Sequence, residues 1–279
     1  MPWIPELFSA PALERLRQER RREELVSVPY FDGLLSGELD ALVESFVDEP
    51  ELHVPLRGRI KGEQAFRAFV DEMNAWFAER NISVEDVARG VGDQRGFEEV
   101  VLHLDGDTGR VDLPHALLVD HASDGRLEEL RIYHSRYPLS GRHVNRPPVL
   151  QHDPELRESD VVAEYQQALA AGDVDAIVAA FEPDGYAREP AGGEYVHRGQ
   201  AGLRAFYEHL FSNDGGIPLE HCAVADDGRS CVLEYNVVRW GKTELPPQAG
   251  VAVYERGASG KLAAARIYDD ADPPLAVAA

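Results

Sequence analysis

The chain has 279 residues, 44% hydrophobic and 28% charged, with 50 acidic against 28 basic side chains and a formal charge of −22. Its aromatic and β-branched content excludes a disordered chain, and its length favours two domains over one. The negative field repels phosphate backbones and anionic lipid surfaces, so neither nucleic acid nor a membrane is an expected partner.

At the N-terminus, Met1-Pro2-Trp3-Ile4-Pro5 lacks the charged and apolar regions of a signal peptide. No apolar run reaches the ~18 residues of a membrane helix. Cys222 and Cys231 are too few for a disulfide framework and lack zinc-site spacing. These features predict a soluble cytoplasmic protein. Arg15 to Arg22 are interleaved with Glu14, Glu19, Glu23 and Glu24, the pattern of a solvated amphipathic helix, so residues 1–24 are predicted as a helical extension.

From residue 25 onward one module is written twice. Ser36-Gly37-Glu38-Leu39-Asp40-Ala41-Leu42-Val43 returns as Ala171-Gly172-Asp173-Val174-Asp175-Ala176-Ile177-Val178. Tyr30 pairs with Tyr165, Pro55 with Pro190, and Arg131-Ile132-Tyr133 with Arg266-Ile267-Tyr268. Matches at the beginning, middle and end of each half imply duplication of a complete domain. The predicted units are 25–140 and 158–275, with 141–157, which carries Gly141, Pro147-Pro148 and Pro154, as the linker.

In the first unit Phe66, Phe69, Val70, Met73, Trp76 and Phe77 form one apolar helix face. In the second, Ser159 is a candidate N-cap for a helix carrying Val162, Tyr165 and Leu169 and ending at Gly172. A short helix follows to Phe181, then another from Gly199 with Leu203, Phe206, Tyr207 and Leu210 on one face. Beyond it the period becomes two, predicting strands at 218–226, 230–240, 248–256 and 261–269. The fold class is therefore α+β: two tandem domains, each with three helices on a curved, mostly antiparallel sheet. Fusion of two copies predicts an intramolecular pseudo-dimer, with further homo-oligomerisation left open.

The residues at 171–178, Glu189-Pro190-Ala191-Gly192-Gly193, and Arg198-Gly199 leading to Arg204-Ala205-Phe206-Tyr207 resemble the SnoaL-like, nuclear transport factor 2-like superfamily. The resemblance spans nearly all of both halves and specifies fold more than activity, because this cone-shaped fold hosts isomerases, cyclases, hydrolases and non-catalytic modules. The second half looks most like ketosteroid isomerase. That resemblance implies Tyr165 as donor to a developing enolate and Glu189, before Pro190, as the base. The family's later aspartate falls on Ala252, a departure from the pattern. In the first half the base position is Val54 and the aspartate position Leu117, which implies a degenerate copy.

Proton abstraction beside a carbonyl needs a base over the carbon and a donor at the oxygen. Glu189 and Tyr165 are the catalytic candidates, with Arg188, Tyr207, Tyr235 and Asp269 as substrate-contacting candidates beside them. Glu189 has the alternative of an ion pair with Arg188, Arg204 or Arg266, and Tyr165 that of filling the base of the cone. In the first half Tyr30, His53 and His115 are the corresponding candidates, with a hydrogen-bonded sheet residue the preferred reading of the two histidines. Arg131 and Arg266 are expected to pair with carboxylates at the sheet edge. No compact ligand spacing or Gly-rich phosphate loop occurs, and His103, His115 and His121 are poorly spaced for a metal, so neither metal nor cofactor is expected. The partner expected is a small apolar carbonyl or polyketide-like molecule, either transformed by proton transfer in an isomerase, cyclase or lyase or simply bound. An epoxide-hydrolase-like site needs two carboxylates and an arginine, for which Glu189, Asp269 and Arg188 are the candidates.

Overall fold

The computed structural model describes residues 39–275 apart from positions 93, 108 and 194. The 1–24 extension and Tyr30 lie outside the described residues. The first half contains α1 (Leu39–Glu44), β1 (Glu51–Val54), β2 (Gly58–Lys61), α2 (Glu63–Glu79), β3 (Ser83–Gly92), β4 (Arg95–Gly106), β5 (Gly109–His121), β6 (Leu127–Tyr133) and a short α3 (Tyr137–Ser140). The second contains α4 (Asp160–Ala171), α5 (Val174–Ala180), β7 (Phe181–Arg188), β8 (Val196–Arg198), α6 (Gly199–Leu210), β9 (Leu219–Asp226), β10 (Ser230–Trp240), β11 (Thr243–Arg256) and β12 (Leu262–Ile267). No described helix is long and apolar enough to cross a membrane.

The strands form two six-stranded sheets of the same order, β2-β1-β6-β5-β4-β3 and β8-β7-β12-β11-β10-β9. Each sheet is antiparallel except at one seam, β1 with β6 and β7 with β12. Register repeats with the topology. Phe97 faces Leu118 where Val232 faces Val253, and His53 lies beside Arg131 where Arg188 lies beside Arg266.

Local chemistry accounts for the element ends. Gly172 closes α4 at φ 72°, a left-handed conformation that favours glycine. Ser159 occupies the N-cap of α4 without a side-chain bond, and Asp160 accepts from the Val162 N–H instead. Two differences from the sequence-based expectation concern strands. Phe181 to Arg188 is a strand that Pro183 and Gly185 disguised. β11 begins at Thr243, ahead of Pro246-Pro247, and the ladder slips between Val237 and Arg239, an irregularity of the kind that accommodates residues lacking an N–H.

Side-chain parity divides each sheet into two faces. On one face of the second sheet Leu233, Tyr235, Ala252, Tyr254 and Ala265 pack under Val162, Leu169, Ile177 and Leu203 of the helices. The first sheet does the same, with Val100, Leu102, Leu117 and Ile132 under Phe66, Phe69 and Phe77. The opposite faces meet each other: Phe97, Ala116, Leu118 and Tyr133 from one sheet pack with Val232, Val251, Val253 and Tyr268 from the other.

Within that contact lie two charged clusters of the same design. Arg131 donates to Glu234 through Nε at 2.7 Å and Nη2 at 2.9 Å, and Tyr133 donates to the same carboxylate at 2.7 Å. Reciprocally, Arg266 donates to Glu99 through Nε at 2.8 Å and Nη2 at 2.6 Å, joined by Tyr268 at 2.5 Å. Glu99 and Arg131 are 0% exposed, Glu234 1% and Arg266 2%. The expectation that these arginines sit at sheet edges is corrected. They stand on β6 and β12, inside the sheets, and pair across the contact. Each bridges further to its own sheet, Arg131 to Asp120 and Glu129 and Arg266 to Glu255.

Glu234→Gln removes the charge that matches Arg131 and is expected to cost about 3–5 kcal/mol in urea unfolding. The double variant Arg131→Met with Glu234→Leu is expected to cost less than Glu234→Gln alone, since the two most deeply buried charges leave together while Asp120 keeps Arg95 and Glu129 stays near His53.

Candidate active site

In the second half a cavity of about 290 Å³ opens between the helices and the helix-facing side of the sheet. Its walls are largely apolar, with Leu169, Phe206, Leu210, Val237, Trp240 and Ile267 among them. Tyr165 from α4, Tyr207 from α6, Tyr235 from β10 and Tyr254 from β11 project into it, together with Asp269 just beyond β12 and Glu189 just beyond β7. The pattern therefore brings together five of the residues singled out from sequence: Tyr165, Glu189, Tyr207, Tyr235 and Asp269.

The polar atoms form separate groups. The Tyr165 and Tyr207 hydroxyls share a hydrogen bond of 2.8 Å, and burial pushes the Tyr165 phenol up to about 12. Both phenols stay protonated at neutral pH, so one proton of the pair remains directed outside their mutual bond. Gln166 Nε2 donates to the Tyr254 hydroxyl at 2.7 Å. Tyr235 donates to Asp269 Oδ2 at 3.0 Å. Desolvation raises the Asp269 carboxyl from the usual aspartate range to about 6, against the opposing effect of the Tyr235 bond.

Room for the Tyr235–Asp269 pair is made by Gly250 on β11. A Cβ there would lie 2.6 Å from the Tyr235 ring and 2.8 Å from the Asp269 Cβ. The position equivalent to Gly250 in the first half is His115, which explains why the pair cannot exist there.

Glu189 sits differently from its expected place as a desolvated base. Its side chain is 32% exposed at the cavity mouth, and His197 Nε2 meets its Oε1 at 2.6 Å. The His197 ring in turn stacks on Phe206 with centroids 4.1 Å apart. The partner is thus none of Arg188, Arg204 and Arg266 but His197, eight residues on and adjacent across the β7–β8 hairpin.

Two candidates face the wrong way, and parity is the reason. Arg188 lies beside Arg266 in register and shares its face, so it points to the contact between the sheets, where its guanidinium stacks 4.6 Å from the Tyr268 ring centre. His53 lies beside Arg131 in the same way and meets Glu51 at 3.5 Å and Glu129 at 3.6 Å. Neither lines the cavity of its own half as the described residues form it. In both halves the next residue, Val54 or Glu189, is the one that does.

The described residues of the first half line a second cavity, of about 280 Å³. His115 enters it as expected, its ring tilted by 32° against that of His134 with centroids 4.3 Å apart. Burial lowers the His115 imidazole to about 4, and burial and its histidine neighbour lower His134 as well. Both rings are neutral at pH 7. The first cavity therefore carries no carboxylate at the positions of Glu189 and Asp269, which hold Val54 and His134.

Among the described residues His103, His115 and His121 do not converge. The one trio within ligand distance is Glu51, His53 and Glu129. Arg59 and Lys61 already bond Glu51, which they hold down at about 2, and Arg131 bonds Glu129. The thiols of Cys222 and Cys231 are pushed up by burial to about 11 and about 12, which leaves no thiolate for nucleophilic chemistry at neutral pH.

Residues 162–265 match the SnoaL-like domain family. Among curated proteins none matches the chain. Several solved structures are similar to one half each. An epoxide hydrolase/cyclase-like enzyme of pyran ring formation in the polyether salinomycin is 18% identical, over 41% of this chain and 90% of its own, with a TM-score of 0.34. A protein of ketosteroid isomerase-like fold from Catenulispora acidiphila, in complex with trimethylamine, is 13% identical over 40% and 86%, with a TM-score of 0.35. An NTF-2 like protein of unknown function from Burkholderia xenovorans is 23% identical over 40% and 81%, with a TM-score of 0.33.

Two outcomes follow from the geometry around Asp269. Gly250→Ala is expected to displace the Tyr235 ring and to destabilise the fold by about 1–3 kcal/mol, measured by urea unfolding. The folded carboxyl, at about 6, binds a proton that the unfolded one releases near 3.8, so this group's contribution to stability falls as pH rises between those values. Asp269→Asn removes that loss. It is expected to stabilise by up to about 3 kcal/mol at pH 8 and to change little at pH 3.5.

Proposed function

We propose that the cavity of the second half transfers a proton within a small apolar carbonyl compound, as an isomerase, cyclase or lyase does, using protein groups alone. The observation that carries this reading is Asp269: a carboxyl near pH 6 in an apolar cavity, hydrogen-bonded by Tyr235 and set in a cage of tyrosines. A base works best when its proton affinity lies close to the working pH. In this reading Asp269 takes the role first assigned to Glu189.

The substrate's carbonyl oxygen is assigned to the Tyr165–Tyr207 hydroxyl pair. A proton leaving carbon puts negative charge on that oxygen, and a donor fixed in a dry site stabilises the charge without reorganising. Tyr207 supports Tyr165 through their shared bond. The Glu189–His197 pair stands at the mouth, where it selects what enters. The apolar walls match a hydrocarbon-rich body, in keeping with the carbonyl or polyketide-like class. The epoxide-hydrolase reading loses its arginine, because Arg188 faces the other sheet.

We read units 25–140 and 158–275 as two copies associated within one chain as a pseudo-dimer, and the reciprocal Arg–Glu clusters support that reading. A binding module without turnover is the alternative use of the same cavity.

Deuterium incorporation from heavy water into cyclic enones and β,γ-unsaturated ketones, followed by mass spectrometry, tests the assignment. Wild type is expected to exchange, with a rate rising through about pH 6 as Asp269 ionises. Asp269→Asn is expected to lose at least about 100-fold, the ordinary contribution of a general base, and Glu189→Gln less than about tenfold. Loss in Glu189→Gln with full activity in Asp269→Asn returns the base to position 189. Binding of the ketones without exchange in wild type favours the binding module.

A further inference from the structure

The chain leaving the first half stays attached to the second half's cavity. After β6 it turns through α3, and Asp270, only 3% exposed, gathers it. That carboxylate accepts from Ser135 Oγ at 2.6 Å, the Arg136 N–H at 3.1 Å and the Val144 N–H at 3.0 Å, and lies 3.1 Å from His143 Nδ1. Two more bonds extend the seam: Asn145 N–H to the Asp270 carbonyl and Asp272 N–H to Asn145 Oδ1, both at 3.0 Å. Six hydrogen-bond contacts over so short a stretch hold it as part of the second half's surface.

What this stretch presents to the cavity is His143, which lines it alongside Asp269. Tyr137 stacks on the imidazole with centroids 4.8 Å apart and 21° between planes, and packs its edge against Tyr195 at the mouth. Asp269 and Asp270 are consecutive, so alternation sends one carboxylate into the cavity and the other to the clamp.

We propose that the second half's cavity is a composite site: the segment from Ser135 to Asn145, pinned by Asp270, completes its mouth, and His143 is a positioning residue for the Asp269 carboxylate. For its catalytic consequence this inference rests on the reading of Asp269 given above. The groups facing His143 are Asp270, Asp269 and Asp272, the Tyr137 ring, the adjacent Arg142, and Glu189 and Tyr195 across the mouth. The bond to Asp270 and then the other aspartates raise the imidazole's proton affinity. The groups facing Asp269 are Tyr235, the Ala271 N–H, Asp270 and His143. An imidazolium favours the ionised carboxylate and holds Asp269 below the value that burial alone would set.

Carbon-13 NMR of the full-length protein with labelled aspartate carboxyls tests this, the Asp269 signal being assigned by its loss in Asp269→Asn. His143→Gln is expected to raise the Asp269 midpoint by about half a pH unit or more, and His143→Arg to restore it, because the coupling is through charge. In wild type the Asp269 curve is expected to carry a second inflection at the midpoint of His143, followed in parallel by nitrogen-15 shifts. This keeps the test independent of how any variant folds. A single-step wild-type curve, or an Asp269 midpoint unchanged in folded His143→Gln, overturns the proposal. Coupling without ketone exchange by wild type defeats the proton-transfer reading but leaves the composite site standing.

Discussion

Two glutamates and two arginines are buried between the sheets, and each would be prohibitively costly there alone. Glu99 and Glu234 each receive a two-pronged arginine and a tyrosine hydroxyl, so both oxygens of each carboxylate are matched. A sliding of one sheet over the other by a single residue would strand all four charges. Apolar packing tolerates such a shift far better, so the charged clusters specify the register while the surrounding Phe97, Val232, Val251 and Val253 supply the area.

The anchoring reaches the candidate site through one residue. Tyr268 is held at the contact by Glu99, and the chain alternates, so the next side chain must enter the cavity. That side chain is Asp269 in the second half and, after Tyr133, His134 in the first. The same clusters that join the halves therefore aim the titratable group of each cavity. Substitution at those aimed positions is where the copies part: Glu189, Gly250 and Asp269 stand where Val54, His115 and His134 do. At those positions one cavity has two carboxylates and a glycine, the other a valine and two neutral imidazoles.

Fusion of the copies has a second consequence. The stretch after the first half is tied to Asp270 at the mouth of the second cavity. Pro147 and Pro148 mark a connection, yet the residues just before them are part of the surface around the site. The first half thus meets the second on two sides, at the sheet contact around Tyr268 and at the Ser135–Asp270 bond.

Much of this was legible in the sequence because it depends on local periodicity and on self-comparison. The repeat, the α+β order and strands β9, β10 and β12 follow from spacing, since spacing decides which side chains share a face, whereas Tyr165 was singled out by the resemblance to a known family. The tertiary structure decided which face was which. Arg188 and Glu189 are neighbours in the chain, yet one stacks on Tyr268 between the sheets and the other lies at the cavity mouth. No composition or period distinguishes those faces when both are buried. Likewise, the environment of Asp269 is assembled from distant parts of the chain: Tyr235 from one strand, the space over Gly250 from another, and His143 from the connection between the halves. Proton affinity is a property of a carboxyl's surroundings, and those were assembled only by folding.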